Sequence, residues 1–160
     1  MGNDDSTGTP RTWMQQLTII YSSVFFLGYT PVASGTVGSL PAIAVAFCLR
    51  HRQLMLLLLA IILFLVGVGA SSQAAKIFGR KDPSEVVVDE FVGMLVAFLW
   101  IPMTWGSVIM AFVLFRLFDI WKPFPARQCD RMEGGFGIMM DDIVAGIYAN
   151  LAVRIILAFL

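Results

Sequence analysis

Five acids and four cations in this chain could together hold a phosphate group against a divalent metal ion: Asp89, Glu90, Asp119, Asp141 and Asp142, with Arg116, Lys122, Arg127 and Arg131. Most of them fall in residues 115–146, FRLFDIWKPFPARQCDRMEGGFGIMMDDIVAG. On a helix Arg116, Asp119 and Lys122 lie at i, i+3 and i+6 and share a face, and Pro123 and Pro125 then end that helix. Arg127, Asp130 and Arg131 repeat the pattern at i, i+3, i+4, Gly134-Gly135-Phe136-Gly137 reads as a flexible turn, and Asp141-Asp142 caps or begins a last helix. Upstream, Pro83 and Ser84 favour a turn, after which a helix would carry Glu85 and Asp89 on one face and lead Asp89-Glu90 straight into an apolar run. Paired carboxylates at such an entry suit a hard cation such as Mg²⁺, which takes carboxylates plus substrate phosphates. Ser34-Gly35-Thr36-Val37-Gly38-Ser39-Leu40 adds two glycines for close backbone approach and three hydroxyls with free N–H groups ahead of a helix, a setting for an anion. Each motif alone serves equally well as a helix cap or an acid-decorated helix start. Their convergence is harder to assign to salt bridges alone.

What is missing narrows the chemistry. His51 is the only histidine and lies in an Arg-His-Arg turn away from the cluster, which argues against a phosphohistidine. Cys129 is followed six residues on by Gly135 and not Arg, so the Cys-x₅-Arg phosphatase loop is absent. No Asp-x-Asp pair offers an aspartyl nucleophile of the haloacid-dehalogenase kind. Cys48 and Cys129 have no metal spacing and read as structural. Carboxylates, basic residues and a glycine-hydroxyl segment point instead to Mg²⁺-assisted phosphoryl chemistry on a lipid head group.

The lipid enters through the elements that must position these groups. Only 14% of the 160 residues are charged, 58% are hydrophobic and the mean hydropathy is +0.81. A soluble domain carries about 25% charged residues. The expected class is therefore all-α: a small polytopic helical membrane bundle with four or five membrane helices and a charged site at the cytoplasmic end. A net charge of zero gives no reason to expect nucleic acid as a partner. Residues 12–49, 53–75 and 91–115 contain no Asp, Glu, Lys or Arg. The cleanest span is 54–70, and the last helix is expected over 138–160. Pro102 to Gly106 splits 91–115 into two helices meeting at a short loop. Residues 13–29 read as apolar helix, 30–41 as a loop rich in Gly, Ser, Thr and Pro, and 42–49 as a shorter helix. Residues 1–12 form a polar, flexible tail without the pattern of an export signal, leaving 13–160 as one domain. If 54–70 spans, Arg50, His51 and Arg52 lie on one side, and Lys76, Arg80, Lys81 and the cations of 115–131 on the other. The richer side is cytoplasmic by the positive-inside rule.

At these residues the chain resembles the phosphatidylglycerophosphatase A family of bacterial membrane lipid phosphatases. The resemblance runs through Gly35-Thr36-Val37-Gly38-Ser39-Leu40, Val88-Asp89-Glu90-Phe91-Val92-Gly93, Phe115 to Pro123, Asp130-Arg131 and Gly134 to Gly146, and covers most of the chain from about residue 28. It implies Mg²⁺-dependent hydrolysis of phosphatidylglycerophosphate to phosphatidylglycerol and inorganic phosphate at the cytoplasmic face of the inner membrane, the last step of phosphatidylglycerol synthesis.

The mechanism expected from the residues is attack on the phosphomonoester by a metal-activated water. Asp89, Glu90, Asp119, Asp141 and Asp142 would hold the metal, with Asp89, Glu90, Asp119 and Asp142 as the catalytic acids. Arg116, Lys122 and Arg131 would stabilise the equatorial oxygens, and Thr36 and Ser39 would donate hydrogen bonds. A carboxylate nucleophile, Asp119 or Asp142, is the alternative. Rival functions fit these residues less well. A CDP-alcohol phosphatidyltransferase needs an Asp-x₂-Asp-Gly-x₂-Ala-Arg core that Asp141 to Gly146 does not supply, and a small transporter needs charges spread in depth and not gathered at one end.

Overall fold

The structure, a computed structural model, describes residues 12–159. The expected flexible tail falls on residues 1–11, outside the described residues, and on Thr12. Thr12 is in fact ordered by a capping box: its Oγ1 accepts from the Gln15 N–H and its own N–H donates to Gln15 Oε1 at 2.8 Å. That box starts helix α1, Trp13–Ser22.

Among the described residues there are seven α-helices and no strand: after α1 come α2 (Ser34–Cys48), α3 (Gln53–Phe78), α4 (Val88–Ala97), α5 (Trp105–Trp121), α6 (Ala126–Asp130) and α7 (Gly135–Ala158). The all-α class is thus found. Only α3 and α7 are both long and apolar enough to cross a membrane, against an expectation of four or five spans. At 1.5 Å per residue they reach ~39 Å and ~36 Å. The split of 91–115 into two helices is also found, as α4 and α5, with Thr104 capping α5 by accepting from the Ser107 N–H.

Four boundaries differ from the sequence reading. The apolar helix expected over 13–29 ends at Ser22: Val24, Phe25 and Phe26 take left-handed backbone (φ 48°, 55° and 68°), and only a short 3₁₀ turn, Leu27–Tyr29, follows. Residues 34–41, expected as loop, are the first half of α2. Gly35, Gly38, Ser39, Ala42 and Ala46 form its buried stripe, so the small residues that read as a loop are there to bring α2 against α4. α4 begins at Val88, leaving Glu85 in the preceding turn, where it pairs with Arg80 and shares no helix face with Asp89. Finally, α7 begins at Gly135, so Gly135 to Gly137 are helical, not a turn, and Asp141-Asp142 lie in its second turn.

α4 is the centre of the bundle. Val88, Val92, Met94, Leu95 and Ala97 are buried, and its most extensive packing is against α7, then α2 and α3. The backbones of α4 and α7 touch: a Cβ at Gly146 would collide with the Gly93 carbonyl oxygen, and one at Gly93 would come within 2.6 Å of the Asp142 carbonyl oxygen. At the far end Asn150 Nδ2 donates to the carbonyls of Ala97 (3.0 Å) and Leu99 (2.7 Å), and Arg154 Nη2 to Leu99 (3.0 Å). These satisfy carbonyls that the end of α4 leaves unpaired. The Trp100 N–H donates to Gln53 Oε1 at 2.8 Å, tying this end to the start of α3. The other end of α3 meets the start of α7, where the Gly135 N–H donates to Ser72 Oγ at 2.6 Å.

Outward, α3 exposes Leu54, Leu58, Ile62 and Leu65, α5 exposes Ile109, Val113 and Leu117, and α7 exposes Ile147, Leu151 and Ile155. Continuous apolar faces of this extent mark a surface that meets something other than water.

The glycine crossing yields a stability prediction. Gly146→Val forces α4 and α7 apart where backbone faces backbone, and is expected to cost about 1–3 kcal/mol. Gly69→Val, where a Cβ meets nothing within 4 Å, is the control. Thermal unfolding of the two variants in the same detergent checks this; equal melting temperatures would show that the crossing has slack.

Candidate active site

One cavity of about 310 Å³ opens beside the start of α4. Asp89 and Glu90 reach it from the first turn of α4, Arg116 and Asp119 from the last turns of α5, Lys122 from the residue that ends α5, and Asp141 and Asp142 from α7. The uncapped N-terminus of α2 closes another wall with Ala33, Ser34 and Gly35. Gly35 is required there: a Cβ would collide with Glu90 Oε1 and come within 3.2 Å of Arg116 Nη1.

The like charges are held by backbone. Asp89 lies one helical turn before Gly93 and Asp142 one turn before Gly146, so the crossing that brings the two glycines together also brings the two carboxylates together. Asp89, Glu90 and Asp142 offer carboxylate oxygens that all lie within 4.8 Å of one another. Asp89, Asp141 and Asp142 are buried. Asp89 Oδ1, Glu90 Oε2, Asp141 Oδ1 and Asp142 Oδ1 are buried without a hydrogen-bond partner among the described residues. Such orphaned carboxylate oxygens are costly unless a ligand satisfies them. With Asp82 at the rim, six carboxylates line the cavity against two cations. This excess of hard oxygen donors fits a divalent cation.

The two cations are already engaged. Arg116 Nη1 lies 2.8 Å from Asp119 Oδ2, a charge pair one turn apart that is not aligned as a hydrogen bond. Lys122 Nζ donates to Asp130 Oδ1 at 2.5 Å and to Asp141 Oδ2 at 2.7 Å. Burial pulls the Lys122 ammonium down, but the two carboxylates outweigh it and hold its pKa above the ordinary lysine value. Lys122 itself adopts a left-handed backbone (φ 47°), which stops α5 and turns the chain toward Pro123.

The expected site residues therefore divide. Asp89, Glu90, Arg116, Asp119, Lys122, Asp141 and Asp142 converge on one cavity. Of the five expected metal ligands, Asp89, Glu90 and Asp142 form the close set, while Asp119 and Asp141 face cations. Thr36 and Ser39 do not line the cavity, and the Ser39 hydroxyl is buried and donates to the Thr36 carbonyl at 2.9 Å. Arg131 lines a different, neighbouring cavity. Of the three hydroxyls in the expected anion motif only Ser34 lines the cavity, and Asp82 lines it without having been singled out by the sequence. Once α2 is known to start at Ser34, only its first turn can face the pocket; Asp82 carries no such signal.

Residues 20–157 match the family model for phosphatidylglycerophosphatase A. The chain belongs to the phosphatidylglycerophosphatase A family. It is 41% identical over 126 residues to the Escherichia coli (strain K12) protein of that name, covering 77% of this chain and 73% of the relative. It is 38% identical over 133 residues to the Haemophilus influenzae one, covering 81% and 82%. It is also 36% identical over 148 residues, 87% of this chain and 92% of the relative, to a Bacteroides thetaiotaomicron protein provisionally named phosphatidylinositol-3-phosphatase. All three names describe enzymes that remove a phosphomonoester, and membership of the phosphatidylglycerophosphatase A family makes this chain a phosphoric monoester hydrolase. No solved structure matches the chain at a comparable level.

Lys122→Met leaves Asp130 and Asp141 without their shared cation. Losing one partner of a part-buried pair costs more than losing one of an exposed pair. Lys122→Met should accordingly lower the melting temperature more than Arg80→Met, whose pair with Glu85 is half-exposed on the arginine side (50%). Parallel melts of the two variants check the order.

Proposed function

We propose that this enzyme hydrolyses phosphatidylglycerophosphate to phosphatidylglycerol and inorganic phosphate with the help of Mg²⁺, at the cytoplasmic face of a bacterial plasma membrane. The observation that carries the reading is the close set of Asp89, Glu90 and Asp142, with buried unpartnered oxygens, beside Arg116 and Lys122 in a chain of this family. The family name and the names of two relatives supply the substrate. The apolar outer faces of α3, α5 and α7 support a lipid surround. Lys76, Arg80, Lys81, Lys122, Arg127 and Arg131 gather at the site end, which supports a cytoplasmic site.

Asp89, Glu90 and Asp142 would hold the ion, which when bound offsets phosphate charge and makes water a stronger acid. The chain's own groups do the rest. The monoester phosphate enters the cavity with its oxygens toward Arg116, Lys122 and the free N–H groups that begin α2. Ser34 lines that wall and can donate its hydroxyl. A water opposite the leaving oxygen gives its proton to a carboxylate of the set as its oxygen bonds to phosphorus. The bond to the glycerol oxygen then breaks, and the protonated carboxyl returns the proton to that oxygen. Asp119 and Asp141 hold Arg116 and Lys122 in place for the charge that develops.

Phosphate release from phosphatidylglycerophosphate, with and without chelator, tests the reading. Activity should vanish with chelator and return with Mg²⁺. Asp89→Asn and Asp142→Asn should each lose roughly 10²- to 10⁴-fold in kcat. Full activity in both variants would overturn the site, and faster turnover of phosphatidylinositol 3-phosphate would overturn the substrate. Hydrolysis of a substrate made chiral at its monoester phosphorus should invert configuration there; retention would mean two displacements and so a carboxylate nucleophile.

A further inference from the structure

Beside the candidate active site lies a second cavity of about 490 Å³, walled by Trp121, Lys122, Phe124, Arg127, Gln128 and Arg131. Lys122 lines both cavities, so they share a wall. Arg127 sits in α6 and Arg131 follows its last residue in right-handed helical conformation, so the two guanidinium groups project from one face a turn apart. Like charges at that spacing repel. Neither forms an ion pair among the described residues: Asp130, between them, is taken by Lys122, and Glu133 is exposed and pairs with neither. Trp121 and Phe124 line the same cavity and are turned outward, 70% and 72% exposed. Two free arginines lining one cavity with two outward aromatic rings suit a ligand that is anionic at one end and apolar at the other. Arginine is the side chain that grips phosphate oxygens in pairs, and exposed Trp and other aromatic rings sit where head groups meet acyl chains.

The proposed substrate has such a part. Its phosphomonoester is joined through glycerol to a phosphodiester, and the diester leads on to the acylated glycerol. We propose that Arg127 and Arg131 form a second anion subsite, which takes the phosphodiester of the lipid while the phosphomonoester lies in the first cavity. This rests on the proposed reaction. It gives Arg127 and Arg131 a binding role outside the reacting centre, and makes the enzyme selective for monoesters carried on a phosphodiester lipid.

The test uses the full chain in neutral detergent micelles, with Arg127→Gln, Arg131→Gln and the double variant. Phosphatidylglycerophosphate is compared with phosphatidate, whose monoester sits directly on the acylated glycerol with no diester, read as substrate or as competing ligand. In the double variant KM for phosphatidylglycerophosphate should rise roughly ten- to hundredfold, with the loss falling on KM and not kcat. Phosphatidate should show less than a third of that change, and Arg→Lys at both positions should restore part of it. An equal change for both lipids, or a loss in kcat alone, overturns the subsite. So does a KM effect seen only when phosphatidylglycerol is added to the micelles, since the site would then hold a bystander lipid. Equilibrium binding of short-chain phosphatidylglycerol, which carries the diester alone, reads the subsite without turnover. Binding that weakens in the double variant supports the subsite even where wild type fails to hydrolyse phosphatidylglycerophosphate, a result that would overturn the proposed reaction alone; equal binding overturns the subsite.

Discussion

The contact between the backbones of α4 and α7 at Gly93 and Gly146 is the constraint on which the site depends. Carboxylates repel one another, and side chains on flexible stems would relax that repulsion by turning away. Here the relaxation is limited, because Asp89 and Asp142 each project from a helix one turn before the point where main chain meets main chain. Close-packed backbone cannot give way as a side chain can. Glu90 follows Asp89 on the same helix, and Gly35 leaves room for it and for Arg116 beneath the start of α2.

Stability has to come from elsewhere, because the cluster opposes it. Buried acids without hydrogen-bond partners destabilise the fold, and Arg116 and Lys122 offset only part of the excess. The opposite end of the same two helices uses polar groups in the reverse sense. There Asn150 and Arg154 donate to the carbonyls of Ala97, Leu99 and Trp100, so the polar atoms close the helix end. One helix pair thus has a satisfied end and an unsatisfied one, and the candidate site is at the unsatisfied end. This also accounts for Arg154, a charge late in an apolar helix with no place in the phosphate chemistry.

Charge identity was readable in the sequence where backbone course was not. Seven of the expected site residues converge because acids and bases in an apolar chain have few places to go. The turn between α4 and α5 was readable because Pro102 and Gly106 interrupt an otherwise unbroken apolar run. The start of α2 was not. Glycine and serine favour loops by their own propensity, and it is α2 packed close against α4, with Val87 where a Cβ at Gly38 would strike, that suits them to this helix. Thr36 and Ser39 were expected at the phosphate for that reason, whereas the helix turns Ser39 into the bundle. Arg131 is expected at the phosphate with Arg116 and Lys122, but spacing along a chain does not reveal which side of a turn a residue takes. The left-handed backbone at Lys122 sends the following segment into the wall of its own cavity.

Lys122 shows how a residue with two acidic partners can still serve a ligand. An ammonium group has three N–H donors. Asp130 and Asp141 take two, and so fix the direction of the third. A free lysine would have to be ordered on binding, at the expense of its rotamer entropy; this one is already ordered by the fold. Its place on the wall common to both cavities means that an anion in either one feels the same charge. Asp141 beside it therefore faces a cation as well as the cavity. Asp141 and Asp130 position a cation, just as Asp119 positions Arg116, and that division of labour explains why a site with three close carboxylates is surrounded by more.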